Sequence, residues 1–274
     1  MKNLIRALPR KAALGSFTVG NMEMVLGAVK AAEETGTPIV LQIAEARLRQ
    51  SPLVLFGPLM LKAAQDASVE IGVHLDHGSS AEAIGAVAKM GFTSVMYDGS
   101  HLPFRENIAA TQGMAALVGG IGAGISVEGE LGVVGGCEDD GAERTVRCTE
   151  PGQVGEFCAA TGVDALAVAI GNAHGNYRAA PELRFDILDR IAAETDVPLV
   201  LHGGSGITDA GFRKAIRHGI RKINIATAVF QSVIAQLRSR LEVEAFHDYR
   251  PLNEAMIEGA YESVKKHISV FNQA

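Results

Sequence analysis

The sequence predicts a (β/α)8 TIM barrel with an extra C-terminal helix, as one domain over residues 1–274. Three observations carry this expectation. Eight short β-branched runs alternate with helix-period segments, and a barrel of this kind needs about 250 residues. Most of the runs are almost continuously apolar (PIVLQI, ALAVAI, PLVLHG), as suits strands covered by helices rather than strands with one wet face. The alternative, an open doubly wound sheet, usually carries a Gly-rich dinucleotide fingerprint after its first strand, and Gly15-Ser16-Phe17-Thr18 is not one.

In chain order the strands are expected at Leu14–Val19, Pro38–Ile43, Ile71–His77, Ser94–Asp98, Gly124–Glu130, Ala165–Ile170, Pro198–Gly203 and Arg221–Thr227. Helix-period segments follow them, such as Met22–Glu34, apolar at Met22, Val25, Leu26 and Val29, and Ala81–Met90. The tail from Pro251, apolar at Leu252, Met256, Ile257 and Tyr261, reads as the additional helix docking on the barrel. Two stretches read as long loops, Leu131–Cys148 and Gly171–Pro181. Loops after strands build the active face of a barrel, so the Gly-hinged first loop is a lid candidate.

Composition narrows the function. With 25 Lys+Arg against 31 Asp+Glu the net charge is −6, and no basic run points to nucleic acid or to an anionic membrane surface. No apolar run reaches the roughly 18 residues of a membrane span. The basic start MKNLIRALPRK is not followed by an apolar stretch with a small-residue cleavage site, so no signal peptide is expected. Cys137, Cys148 and Cys158 have no metal-type spacing, and their odd number argues against a disulfide framework and for the cytoplasm.

Chemistry concentrates at strand ends. His77, His174 and His202 each fall at or just past the C-terminal end of a strand, the third, sixth and seventh, and each precedes a glycine. Three imidazoles converging on one mouth with an open position is a catalytic zinc arrangement. A single such histidine would more often simply line a polar cleft. Asp76, directly before His77, suits a general acid/base, or else a partner orienting a histidine. Alternation along the strand expects Asp76 and His77 to point to different sides. Asp98 and Glu130 also end strands and would hold a second cation, or equally serve as hydrogen-bond acceptors. His74 lies inside its strand and reads as a structural neighbour. His101 reads as a polar contact at a helix start, and His218, His247 and His267 as solvent-exposed. HGGSG (202–206) and NIAT (224–227) lead into helices, where glycine N–H groups and a helix N-terminus form an anion site, the usual phosphate position in such barrels.

Several long segments resemble one family. HLDHG (74–78), YDGSHLPFRENI (97–108), VEGELGVVGGCEDD (127–140), AVAIGNAHGNY (167–177), PLVLHGGSG (198–206) and KINIATAVF (222–230) are similar to the class II, zinc-dependent ketose-bisphosphate aldolases, in the branch with the tagatose-bisphosphate and shorter fructose-bisphosphate enzymes. The resemblance implies that His77, His174 and His202 bind catalytic zinc and that Asp98 and Glu130 serve an alternate metal position. It implies that Asp76 exchanges a proton with the C4 hydroxyl and that Glu138 moves the C3 proton. It assigns Gly175, Gly203, Gly204, Ser205, Asn224, Ile225, Ala226 and Thr227 to dihydroxyacetone phosphate, with a monovalent cation, Na+ or K+, near that phosphate. A homodimer or homotetramer and a phosphorylated sugar substrate are expected on the same ground.

Two departures stand out. The family commonly has Phe-Asn where this chain has Phe17-Thr18, and a Ser-Glu-Gly pattern where it has Ala44-Glu45-Ala46. Both positions are expected at the mouth, which leaves open a relative specialised for another phosphorylated ketose. Aldol cleavage needs an acceptor for charge on the carbonyl oxygen, either a Lewis-acid metal or a Schiff-base lysine. Lys222 begins its strand at the end away from the mouth and reads as a solvated or snorkelling lysine, so the histidines select metal chemistry. A zinc-dependent sugar-phosphate isomerase or epimerase, and a silent accessory subunit of an aldolase, are the competing readings.

Overall fold

A computed structural model of the chain describes residues 1–137, 143–175, 181–243 and 248–273. Its strands are β1 (Leu14–Thr18), β2 (Ile39–Ala44), β3 (Ile71–Gly78), β4 (Ser94–Tyr97), β5 (Ser126–Leu131), β6 (Gly135–Cys137), β7 (Glu143–Arg144), β8 (Ala165–Val168), β9 (Ala173–His174), β10 (Leu199–Leu201) and β11 (Ile220–Ile225). Its helices are α1 (Lys2–Ala7), α2 (Met22–Thr35), α3 (Leu53–Asp66), α4 (Ala81–Met90), α5 (Phe104–Ile121), α6 (Pro151–Thr161), α7 (Phe185–Ala193), α8 (Asp209–Arg217), α9 (Thr227–Val243) and α10 (Arg250–Phe271). Eight parallel strands close in the order β1-β11-β10-β8-β5-β4-β3-β2, so each expected strand is present within a few residues of its expected ends.

Local chemistry explains where the helices begin and end. Asn21, Ser80 and Thr208 accept N–H bonds from Met24, Ala83 and Gly211 and so cap the starts of α2, α4 and α8. Gly36, Gly91 and Gly162 end α2, α4 and α6 in the left-handed conformation. The expected terminal helix is α10. It packs along α2 and α9, and its end holds the start of β1 through Ala13 N–H to the Phe271 carbonyl at 3.2 Å.

The barrel interior is layered. Leu14, Val40, Met96, Ala165, Ala167 and Val200 form an apolar floor with Met1, Leu4 and Ile5. The last three belong to α1 and its cap, an element too short for the sequence pattern to reveal. Arg221 ties this plug down by donating to the carbonyls of Ile5, Leu8, Pro9 and Arg10. Above the floor the interior turns polar, with Ser16, Gln42, His74, Ser94, Glu128 and Lys222 all fully or almost fully buried. A second, larger core lies between the strands and the surrounding helices.

Three expectations need correction here. His267 is 8% exposed, not solvated, and its ring lies among Phe17, Phe212 and Phe271. The cause is its place on the buried stripe of α10 with Ala260, Val264 and Phe271. His218 is half-buried at the end of α8, with Nδ1 2.5 Å from Asp189 Oδ1. His101 is exposed, and His247 lies outside the described residues. The two long loops are also more than loops: β6 pairs antiparallel with β7 and parallel with β9, which makes a three-stranded sheet above the barrel.

Close helix packing here depends on glycine. A Cβ on Gly27 of α2 would overlap the Ile257 carbonyl and lie 2.8 Å from the Ala260 Cβ of α10. Gly113, in the interior of α5, has open space. Gly27→Ala is therefore expected to lower the unfolding free energy by about 1–3 kcal/mol through overpacking. Gly113→Ala should raise it by roughly 0.5–1 kcal/mol through helix propensity. Urea denaturation of both variants checks the pair; equal effects of the same sign would contradict the packing argument.

Candidate active site

The mouth is built by strand ends. β3 carries Asp76 and His77, and pairing with β4 slips between Leu75 and Gly78. At that slip His77 has φ 44°, the one positive value outside glycine among the described residues. Such backbone costs on the order of 1–3 kcal/mol and marks sites where geometry is imposed. It breaks the alternation that would send Asp76 and His77 to opposite sides. The expectation of opposite sides is corrected accordingly: His77 Nε2 lies 3.9 Å from Asp76 Oδ1.

Three imidazoles meet there. The His77 ring centroid is 4.7 Å from that of His202 and 4.9 Å from that of His174, and the last two are 6.0 Å apart. One nitrogen of each can be chosen so that all lie within 4.8 Å of one another. His174 is carried by β9, and Gly203 allows β9 to approach β10. Gly203 has φ 63°, and a Cβ there would collide with the Ala173 carbonyl. The carbonyl of His202 accepts from Asn172 Nδ2 at 3.0 Å, which fixes the same junction from the other side.

The outer nitrogens of two of these rings are engaged. His77 Nδ1 lies 3.2 Å from Asp98 Oδ2, and His202 Nε2 lies 2.8 Å from Glu128 Oε1. Ionised carboxylates only accept, so each of these nitrogens is the donor. The inner nitrogens, His77 Nε2 and His202 Nδ1, then point lone pairs at each other across 2.9 Å. Two facing lone pairs call for a cation. Tetrahedral zinc with nitrogen ligands sets N···N near about 3.3 Å, within a small ring movement of this spacing. The residues therefore fit a divalent metal. Asp98, Glu130 and His77 form a second group with ligand atoms within 4.8 Å of one another. Asp98 also accepts from Ser100 N–H at 3.0 Å, so it is both a member of that group and the partner of His77.

Asp76 is 6% exposed, and each of its oxygens takes an amide donor, Gln42 Nε2 at 2.8 Å and Asn224 Nδ2 at 3.1 Å. Gln42 also donates to Thr18 Oγ1 at 3.0 Å, and its own oxygen accepts from Ser16. Burial pushes the Asp76 carboxyl upward, but His77, His202, His74 and Lys222 outweigh it and hold it below its ordinary value. Thr18 is thus buried in a hydrogen-bonded row, and Ala44, also buried, is the register partner of Asp76. Gln42 was missed by the sequence reading. One amide inside the apolar run PIVLQI is the signal, because it must find partners inside the barrel.

Lys222 requires the clearest correction. It is neither solvated nor snorkelling: it has no exposure, and its Nζ donates to Glu128 Oε2 at 2.8 Å. Glu128, also missed, is held well below the carboxylate range: burial opposes this, but the Lys222 charge leads the groups that outweigh it. His74 stands beside this pair as the expected structural neighbour, with Nδ1 2.8 Å from Ser94 Oγ. Burial, followed by the Lys222 charge, lowers its pKa to about 3. Burial likewise lowers His202.

The anion turns also come together. Gly204 N–H donates to the Asn224 carbonyl at 3.1 Å, and Ser205 Oγ accepts from Ala228 N–H at 2.9 Å in the first turn of α9. Gly203, Gly204 and Ser205 are thereby set beside Asn224–Thr227 at a helix N-terminus. Ile225 is fully buried. Gly175 has φ 80°, next to His174. Glu138 lies outside the described residues.

Fold and site together define a barrel enzyme with a metal-competent histidine cluster at its C-terminal mouth. A family model described as fructose-bisphosphate aldolase class-II matches residues 1–274. A probable fructose-bisphosphate aldolase of Bacillus subtilis (strain 168) is 41% identical over 218 residues, 78% of this chain and 76% of that one. The protein YdjI of Escherichia coli (strain K12) is 38% identical over 254 residues, 92% of this chain and 91% of that one. The crystal structure of the YdjI aldolase aligns with a TM-score of 0.87 at 33% identity, covering 98% of this chain and 95% of that one. The chain belongs to the class II fructose-bisphosphate aldolase family, whose members are carbon–carbon lyases.

The buried imidazoles make stability depend on pH. An unfolded histidine ionises near about 6.5, whereas His74 in the fold does so at about 3. Between these values the unfolded chain holds the extra proton, so stability falls as pH falls, by about 1.4 kcal/mol per unit for one such group. Below the ordinary carboxylate range Glu128 and Asp98, both depressed, add to the loss. Urea midpoints of metal-free protein from pH 7 to pH 4 should decline steadily, and less steeply in His74→Gln; a flat profile would contradict neutral burial of His74.

Proposed function

We propose that the protein is a zinc-dependent aldolase that reversibly cleaves a phosphorylated ketose, of the fructose- or tagatose-1,6-bisphosphate type, into dihydroxyacetone phosphate and an aldehyde such as glyceraldehyde 3-phosphate. The observation that carries this reading is the 2.9 Å approach of His77 Nε2 and His202 Nδ1, whose opposite ring nitrogens each face a carboxylate, with His174 beside them and Asp76 at their edge. The names of the Bacillus subtilis and other relatives support the substrate class.

In this reading His77, His174 and His202 hold the catalytic cation, while Asp98 and Glu130 offer an alternate position with His77. A bound divalent cation supplies Lewis acidity to the substrate carbonyl oxygen. Gly175, Gly203, Gly204, Ser205 and Asn224–Thr227 line the phosphate position at the N-terminus of α9, with a monovalent cation nearby; the Gly204 N–H, held by the Asn224 carbonyl, shapes the turn. Asp76, its two oxygens fixed by Gln42 and Asn224, takes the proton of the C4 hydroxyl during cleavage. Glu138 returns a proton to C3, acting from the segment beyond β6. A Schiff-base route through Lys222 is disfavoured, because an amine ion-paired with Glu128 is charged and not nucleophilic. The free thiols of Cys148 and Cys158 suit the cytoplasm. No described helix is long and apolar enough to cross a membrane. Exposed Val54 and Leu55 on α3, each at 72%, support self-association as a homodimer or homotetramer.

Turnover on fructose- and tagatose-1,6-bisphosphate, measured side by side as released dihydroxyacetone phosphate, tests the reading. Chelation should abolish cleavage and zinc should restore it. Full activity without metal, or inactivation by borohydride with substrate, would sink it; one rearranged sugar in place of two trioses would assign an isomerase instead. Asp76→Asn should retain zinc and lose about 10²–10⁴-fold in rate. A parallel loss of metal would make Asp76 a support for the histidines only. Glu138→Ala should leave substrate binding within a few-fold and slow exchange of the C3 proton of dihydroxyacetone phosphate with solvent; unchanged exchange moves that task to Asp139 or Asp140.

A further inference from the structure

The Glu128–Lys222 pair is fully buried, and the roles given above to phosphate binding and proton transfer leave it without a task. Burying both charges is costly unless each is fully paired. Lys222 has no exposure and Glu128 has none, and their 2.8 Å contact consumes Oε2. The remaining oxygen, Oε1, lies 2.8 Å from His202 Nε2. We propose that the buried Glu128–Lys222 pair is the positioning element that locks His202 as its Nε2–H tautomer and so dedicates Nδ1 to a metal ion.

The geometry leaves little freedom. An ammonium has three donors and no acceptor, so Glu128 Oε2 must accept from Lys222. A carboxylate held in this way can only accept at Oε1 as well, which obliges His202 Nε2 to carry the proton. His202 Nδ1 then faces His77 Nε2 at 2.9 Å and Asp76 Oδ1 at 4.0 Å with its lone pair. Asp98 performs the equivalent service for His77 from the rim, at 3.2 Å. The difference is that the acceptor of His202 is itself anchored, across the barrel, by a residue of β11. A carboxylate behind a metal-binding histidine fixes ring orientation and tautomer and raises ligand basicity, and its loss costs about 10–100-fold in metal affinity.

Glu128→Gln is the informative variant. Lys222 can only donate, so the new amide must turn its oxygen to Lys222 and its NH2 to His202. An NH2 facing Nε2 demands a lone pair there and drives the proton to Nδ1, the atom meant for the metal. E128Q is therefore expected to reverse the tautomer and lower zinc affinity by about 10-fold or more. Two readouts apply: competition against a chromophoric chelator for affinity, and the nitrogen shifts of His202 in metal-free protein at pH 8 for the tautomer. Loss of packing alone would not move the proton from one nitrogen to the other. If E128Q does not fold, the double variant E128L/K222M removes both charges at similar volume; it should release His202 into a mixture of tautomers with a comparable loss of affinity. Wild-type His202 protonated at Nδ1, or affinity reduced by less than about 10-fold in the folded variant, would overturn the proposal. The inference rests on the metal reading of the three histidines. Wild-type protein that takes up no zinc would defeat that reading, while the tautomer measurement still decides the role of Glu128.

Discussion

At the middle of the barrel an ammonium and a carboxylate meet at 2.8 Å with no access to solvent. The interior of a (β/α)8 barrel is usually filled with branched aliphatic side chains, and here that filling stops at the floor made with α1. Toward the mouth the interior carries a buried polar layer whose members have to be satisfied by their neighbours. Lys222 engages Glu128, Glu128 engages His202, and Gln42 engages both Thr18 and Asp76. Asn224 closes the circle by donating to Asp76. The mouth is therefore not a set of independent side chains on loops. It is the top of a hydrogen-bonded interior whose lower end is one desolvated ion pair.

Departures from regular backbone occur where that interior reaches the mouth. The slip in β3 and the positive φ of His77 bring a carboxylate and an imidazole from adjacent residues to one side. Gly78 makes the same slip possible, because a Cβ there would meet the Met96 carbonyl oxygen at 2.5 Å. Gly203 permits the junction of β9 with β10. His77 is a strained position at the end of an ordered strand, and the two glycines permit close approaches that a Cβ would block.

Much of this was legible in the sequence, for physical reasons that also mark its limits. Continuously apolar strands between helix-period segments announce a parallel barrel, and strand ends followed by glycine announce its mouth. Short elements stay silent: α1 has one buried face of Leu4 and Ile5, and β6, β7 and β9 are too brief to show any period. The buried polar layer was hidden for another reason. A lysine at the start of a strand reads as solvated when taken alone. Yet Lys222 and Asn224 are two residues apart on β11, as Glu128 and Glu130 are on β5, so each pair shares a face. Once Glu130 and Asn224 are assigned to the mouth, Glu128 and Lys222 must face inward one layer down, where opposite charges are obliged to pair. His267 follows the same logic on a helix, through its spacing from Ala260, Val264 and Phe271.

The small sheet above the barrel has a consequence of its own. β9 carries His174 and pairs with β6, so Gly136 stands in register with His174 and Gly135 with Ala173. One histidine of the cluster and the excursion that follows β5 are thus parts of one hydrogen-bonded body. Linkage between such parts is reciprocal. Whatever free energy a ligand at His174 contributes to the β6–β9 pairing, an ordered β6 returns to that ligand's affinity by the same factor. β6 and the histidine it pairs with are two terminals of a single thermodynamic circuit, readable from either end.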